Sequence, residues 1–483
     1  MTFLPVFQYQ ISQMPNTKYQ IPNIKVKGFT LIEALVFLFL FAVVSTAFFE
    51  AYAVGTRLII ESKNRLGATA LANQKMEIIR SIDYDNIGTK HWNGSAWVYG
   101  IPAGDLLEDE TVSVNTRQYA VHTFVQYADD SFDGTLGGTP NDTIPNDYKR
   151  IRISVAWGSG GADQTVTVFA NVSPNGIETS AGGGVLSINI LDTSGSGISG
   201  VTVHLVNGTA GVDLTTQTDA TGNITLPATP ASNPAGAQDY ALTVSKSGYY
   251  GTVTYPPYPT SAFDPIDEHV SVNAGALNPI TITIDQASDI LLHTKDPFGT
   301  AVPNITTHVV GGRILGADPT TNPPTPVYGF SQDTDTNASG DKTFAGESSG
   351  QYAFSITDTQ YEFYKFSPEE TARDIFEVIA GAEKNSTAIL LDKQIGSVKA
   401  VITNQADASP IAGADVHLSH ATLPYDATVA TDQYGYAYFP TAMPELLPET
   451  YDIAVSATGF GNYTGTVTVS GALVDKNIPL TPN

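Results

Sequence analysis

The sequence predicts an α+β chain, with one long apolar N-terminal helix packed on an antiparallel sheet and three β-sandwiches following in tandem. Three observations carry this prediction. Residues 34–49 hold no charge, inside a helix-forming stretch that runs from 29 to 82. From about residue 86 the apolar residues recur at every second position. Past residue 185 a strand-and-turn pattern repeats, with 22 residues from Gly200 to Gly222 and again 22 from Gly413 to Gly435.

A chain of 483 residues is too long for one hydrophobic core. With 43 glycines and 29 prolines but only 15% charged residues, it reads as short strands joined by turns. The absence of cysteine excludes disulfides and thiolate metal sites. Of the formal charge of −25, residues 1–28 contribute +3 and residues 29–82 contribute +1, leaving −29 on residues 83–483. That acidity repels phosphate backbones and argues against a nucleic-acid partner.

The elements follow in order. Residues 1–28 form a polar preface containing Lys18, Lys25 and Lys27 and no acid. Next comes the helix, 29–85, with 29–49 as its membrane-spanning part. The uncharged run alone spans about 24 Å, and reaching membrane length means enclosing Glu33, where a charge costs several kcal/mol. Lysines on the N-terminal side predict a cytoplasmic preface. Continued to Ile82 the helix is a rod of about 80 Å, with Gly55 and Gly67 as candidate breaks. Residues 86–178 form a β-rich domain in which Ile151, Ile153, Val155 and Trp157 share one face. A Gly-rich linker, 179–184, leads to sandwiches at 185–285, 286–392 and 393–483, the middle copy divergent and carrying an inserted loop at 316–326.

The residues "KGFTLIE" (27–33) resemble the signature of type IV prepilins and their pseudopilin relatives. The resemblance implies that a membrane prepilin peptidase cuts after Gly28 and that the new N-terminus, Phe29, is N-methylated. It also implies that Glu33 acts in assembly, where it can meet the free amine of a neighbouring subunit's first residue in low dielectric. The stretches "LANQKMEIIRSIDYDNIG" and "NDYKRIRISVAW" are similar to large minor pilins of the pilus-modification kind. The preface is longer than many leaders of the family, and the apolar segment lacks the proline that kinks it in many major pilins. "GVTVHL", "TDATGNITL" and "YALTVSKSGYYG", with their later counterparts, resemble the carboxypeptidase-regulatory-like, transthyretin-like module. That implies seven-stranded Greek-key sandwiches used as spacers or binding units, not as peptidases.

The implied function is a minor pilin, held in the cytoplasmic membrane by one span before assembly and carried afterwards on the cell surface. Its partners would be other pilin subunits through the helix, and a glycan or protein ligand at the sandwiches. A pseudopilin of a type II secretion system is the alternative within the same assembly class. A cell-surface hydrolase or carbohydrate-binding protein is the alternative of another class, although no H-E-x-x-H, Walker or G-x-S-x-G motif occurs and no catalytic residue or cofactor is assigned. Asp129, Asp130, Asp133, Asp142 and Asp147 crowd one Gly-containing loop. They are either a solvated acidic loop or oxygen ligands for Ca²⁺. The repeated "TDxxG" reads as a turn, and His204 and His417 as outward-facing strand residues.

Overall fold

The computed structural model describes residues 30–130, 134–136, 138–142, 144–158, 164–174 and 183–483. Gly28, Phe29, Asp133 and most of the 179–184 linker lie outside them. The helix runs unbroken over Leu31–Arg80. At its start the Thr30 hydroxyl accepts the Glu33 amide at 3.3 Å, and the Glu33 carboxylate in the first turn suits the positive end of the helix dipole. Past Arg80 the chain turns through a single 3₁₀ turn, Tyr84–Asn86, so the helix stops short of residue 85. The stretch Asp83-Tyr84-Asp85-Asn86 is rich in residues whose side chains compete with helical hydrogen bonds.

Neither candidate glycine breaks the rod. Gly67 instead lets another element approach: a Cβ there would lie 2.4 Å from the Tyr119 hydroxyl, which donates to the Asn64 carbonyl at 3.1 Å. Tyr119 belongs to a four-stranded antiparallel sheet ordered Asp109–Val114, Arg117–Ala128, Tyr148–Ala156, Thr165–Val172. Ala68, Leu71, Ala72, Met76 and Ile79 recur at helical spacing and face Val121, Val125, Ile151, Ile153, Val155 and Trp157 across a buried core. The Trp157 indole N–H donates to Glu61 Oε1 at 2.9 Å, and Lys75 pairs with Glu110 at 2.6 Å.

The β-rich segment does not keep to itself. Thr89–Trp92 and Trp97–Tyr99 form a hairpin that Leu106–Leu107 joins in parallel. Its outer strand pairs with Val212–Gln217 through Tyr99 and Val212, so residues 89–107 extend a sheet of the first sandwich. This corrects the assignment of all of 86–178 to the helix-bearing sheet. The exposed edge of Val212–Gln217 accepts the extra strand, with the Tyr99 amide donating to the Gly211 carbonyl at 2.8 Å.

In the first sandwich Gly184–Leu191 lies between antiparallel Asn223–Thr229 and parallel Leu277–Thr283. Gly184 is therefore strand, not linker. The facing sheet runs Thr252–Val253, Ala241–Ser245, Thr202–Asn207, Val212–Gln217. The last sandwich repeats this scheme. Ser397–Asn404 sits between Tyr436–Phe439 and parallel Leu473–Leu480, facing Asp426–Ala430, Asp415–Ser419, Thr450–Ser456 and Tyr463–Thr468. In the middle copy Ser288–Lys295 likewise pairs in parallel with Lys384–Asp392. Its expected 316–326 loop is shorter: Thr306–Asp318 and Thr325–Asp335 form a long hairpin whose connection is 319–324, so both ends of the expected loop are strand.

Each copy carries the same turn. The side-chain oxygen of Asp219, Asn337 and Asp432 accepts the backbone amides two and four residues on, and the glycine that follows has φ of +82°, +76° and +76°. For Asp219, burial raises the pKa, but hydrogen bonds from Asn223, Thr221 and Gly222 hold it below the ordinary value.

Candidate functional site

Along the helix the apolar residues divide into two regimes. Leu31, Phe37, Phe39, Leu40, Phe41, Phe48 and Phe49 are all more than half exposed, whereas the buried helix residues begin at Ala68. The most apolar 18-residue window is long and apolar enough to cross a membrane, and none of it is buried against the rest of the chain. Glu33 lies on this bare part. A surface of that extent calls for lipid or for other helices.

The acidic loop uses its carboxylates locally. Asp129 accepts the Leu136 amide at 3.0 Å, Asp142 accepts the Ile144 amide at 2.8 Å, and Asp147 accepts the Asp130 amide. Asp133 lies outside the described residues. Among the described residues, only Glu108, Asp109 and His122 bring one metal-ligating atom each within 4.8 Å of one another. His204 and His417 sit on strand faces and pair with Asp213 at 2.7 Å and Asp426 at 2.8 Å.

A cleft of about 670 Å³ opens where the 89–99 hairpin, the start of strand Asp109–Val114 and the first sandwich meet. Along its floor run linked histidine–carboxylate contacts. His91 Nδ1 lies 3.0 Å from Glu108, His91 Nε2 lies 3.4 Å from Asp213, and Asp213 continues to His204. At its rim Trp92 and Trp97, directly paired across the hairpin, pack edge to face at 5.6 Å between ring centres. They remain 54% and 45% exposed, whereas Trp157, the chain's third tryptophan, is buried. The motif "HWNGSAW" contained the signal, because Asn-Gly between two like residues marks a hairpin that sets them side by side. The histidine–carboxylate chain carried none, since it joins residues up to 122 positions apart in sequence.

Residues 24–49 match the prokaryotic N-terminal methylation motif. The N-terminal segment is a prepilin-type signal. It spans Gly28, Phe29 and Glu33 and reaches through the uncharged run, so from Leu31 onward it overlaps the bare apolar part of the helix. No curated protein matches the chain. Among solved structures, the Bacillus anthracis TIE protein aligns at 13% identity and a TM-score of 0.19, covering 83% of this chain and 74% of that one. The Streptococcal ancillary pilin aligns at 11% and 0.19, covering 62% and 98%, and the shaft pilin spaA from Lactobacillus rhamnosus GG at 11% and 0.16, covering 41% and 98%. Likeness at that level says nothing of function.

Proposed function

We propose that this chain is a minor type IV pilin, a non-catalytic structural subunit that displays three β-sandwiches from a pilus for adhesion or a tip role. One observation carries the reading: the prepilin-type signal lies on a helix whose first half is apolar and bare while its second half is seated on a sheet. Such a helix is a bilayer anchor before assembly. Once Gly28 is cut from Phe29, it can join a bundle of like helices in a filament core. There Glu33 can pair with a neighbour's new N-terminal amine, offsetting the desolvation of both charges. The acidic 83–483 region stays outside, where its −29 charge keeps it soluble.

Mass spectrometry of the chain from its host tests the processing step, with an N-methylated Phe29 terminus expected and an intact preface counting against it. Glu33→Val tests assembly. Membrane fractionation should show the variant inserted as before, while sheared filaments should lose most of it. Normal incorporation into filaments would overturn the pairing argument.

A further inference from the structure

We propose that the cleft between the 89–99 hairpin and the first sandwich is a carbohydrate site that takes an uncharged hexose unit of a glycan, stacked on Trp92 and Trp97. The proposal deepens the display reading above by placing a ligand site on the chain. Two indoles held at a rim at 54% and 45% exposure leave large apolar faces in water. A pyranose offers the complement: one face of C–H groups for the rings and an edge of hydroxyls that donate hydrogen bonds. The floor supplies acceptors for that edge. Glu108 and Asp213 have only 14% and 23% of their side chains exposed, and His91 and His204 fix their orientation. A carboxylate has about four lone-pair sites, so one or two histidine contacts leave capacity for sugar hydroxyls. The cleft's 670 Å³ lies within the range of small-ligand sites.

Charge narrows the class. Three carboxylates (Glu108, Asp109 and Asp213) line the cleft with no lysine or arginine among its described lining residues, and Lys90, beside the Trp97 ring, is already paired with Asp105 at 2.8 Å. An anionic sugar, such as a sialic acid or a uronate, would enter against that field.

Binding can be measured on the full chain in lipid nanodiscs, which avoids sugar-based detergents. Neutral di- and trisaccharides built from glucose, galactose, mannose and N-acetylglucosamine are titrated by tryptophan fluorescence and calorimetry, with sialyllactose as the charged control. At least one neutral sugar should saturate, and sialyllactose should not. Trp92→Ala and Trp97→Ala should each weaken binding roughly tenfold. Asp213→Asn, which keeps the side chain's shape, should weaken it as well, and Trp97→Tyr, which keeps a ring across the hairpin, should retain part of it. The proposal is overturned if no neutral sugar saturates below about 10 mM, or if binding survives both alanine variants. Filament incorporation is scored separately on the same chains. A chain that binds sugar but never enters filaments sinks the pilus reading alone, and one that enters filaments without binding sinks this one alone.

Discussion

At the scale of single residues, two positions turn local geometry into measurable outcomes. Gly67 is needed because the buried Tyr119 ring lies over the helix with its hydroxyl bonded to Asn64. Gly67→Ala should cost about 1–3 kcal/mol in thermal or denaturant unfolding, despite alanine's better helix propensity. Removing the hydroxyl as well, in Gly67→Ala/Tyr119→Phe, should recover part of that loss; a double variant no better than the single would refute the steric account. Lys149 is the other position. Its side chain is buried, donates to the Tyr84 carbonyl at 2.7 Å and lies 4.4 Å from the Tyr84 ring centre. Burial lowers its pKa from 10.5 to about 8, with Asp85 opposing the shift. Between these values the unfolded chain binds more protons than the folded one, so this lysine makes stability rise with pH there. Wild type should therefore gain on Lys149→Met between pH 7.5 and 9.5, below the range in which Tyr127, whose own pKa burial raises, would titrate. A gap between the two proteins that does not change with pH would show that the ammonium is not desolvated. Neither position is legible in the sequence, because each depends on a partner more than 50 residues away.

Among elements, the helix and the repeated turn show what pattern can and cannot reveal. Hydropathy and the prepilin-type signal located the helix, but the seating of its second half depends on the sheet supplying Tyr119 and Trp157. The turns were legible as "TDxxG", whereas the role of the threonine before them was not. Thr218 Oγ1 donates to the Ile198 carbonyl at 2.6 Å and accepts the Val201 amide at 2.9 Å. Thr431 does the same with Ile411 and Ala414, at 2.6 and 2.9 Å. In the middle copy Thr336 accepts the Ile305 amide at 3.0 Å. Thr218→Val and Thr431→Val keep the volume but strand a buried amide and carbonyl, so each should cost about 1–3 kcal/mol in denaturant unfolding. Equal stability with valine would mean that water replaces the hydroxyl. The 89–99 hairpin was misassigned for a physical reason: strands of two to four residues carry too little periodicity to declare which sheet they join.

Over the whole molecule the sandwiches are joined by contacts, not strung loosely. Asp264–Pro265 of the first pairs with Gly316 and Ala317 in the second, and Arg313 meets Asp267 at 2.7 Å with both side chains largely buried. The second and third share a small core of Tyr364, Leu391 and Tyr438, flanked by the pairing of Lys399 with Glu362. We expect the second and third sandwiches to unfold in one calorimetric transition that Tyr438→Ala splits in two; separate transitions in the wild type would refute the coupling. The sequence by itself determined the helix, the prepilin-type signal, the acidic exterior and the threefold β repeat, because each is written in a local period, motif or charge count. Only the tertiary structure decided where residues 89–107 belong, which glycine serves packing, and that two tryptophans and a chain of histidine–carboxylate pairs share one cleft. Those outcomes depend on side chains brought together from distant parts of the chain, which no local pattern encodes.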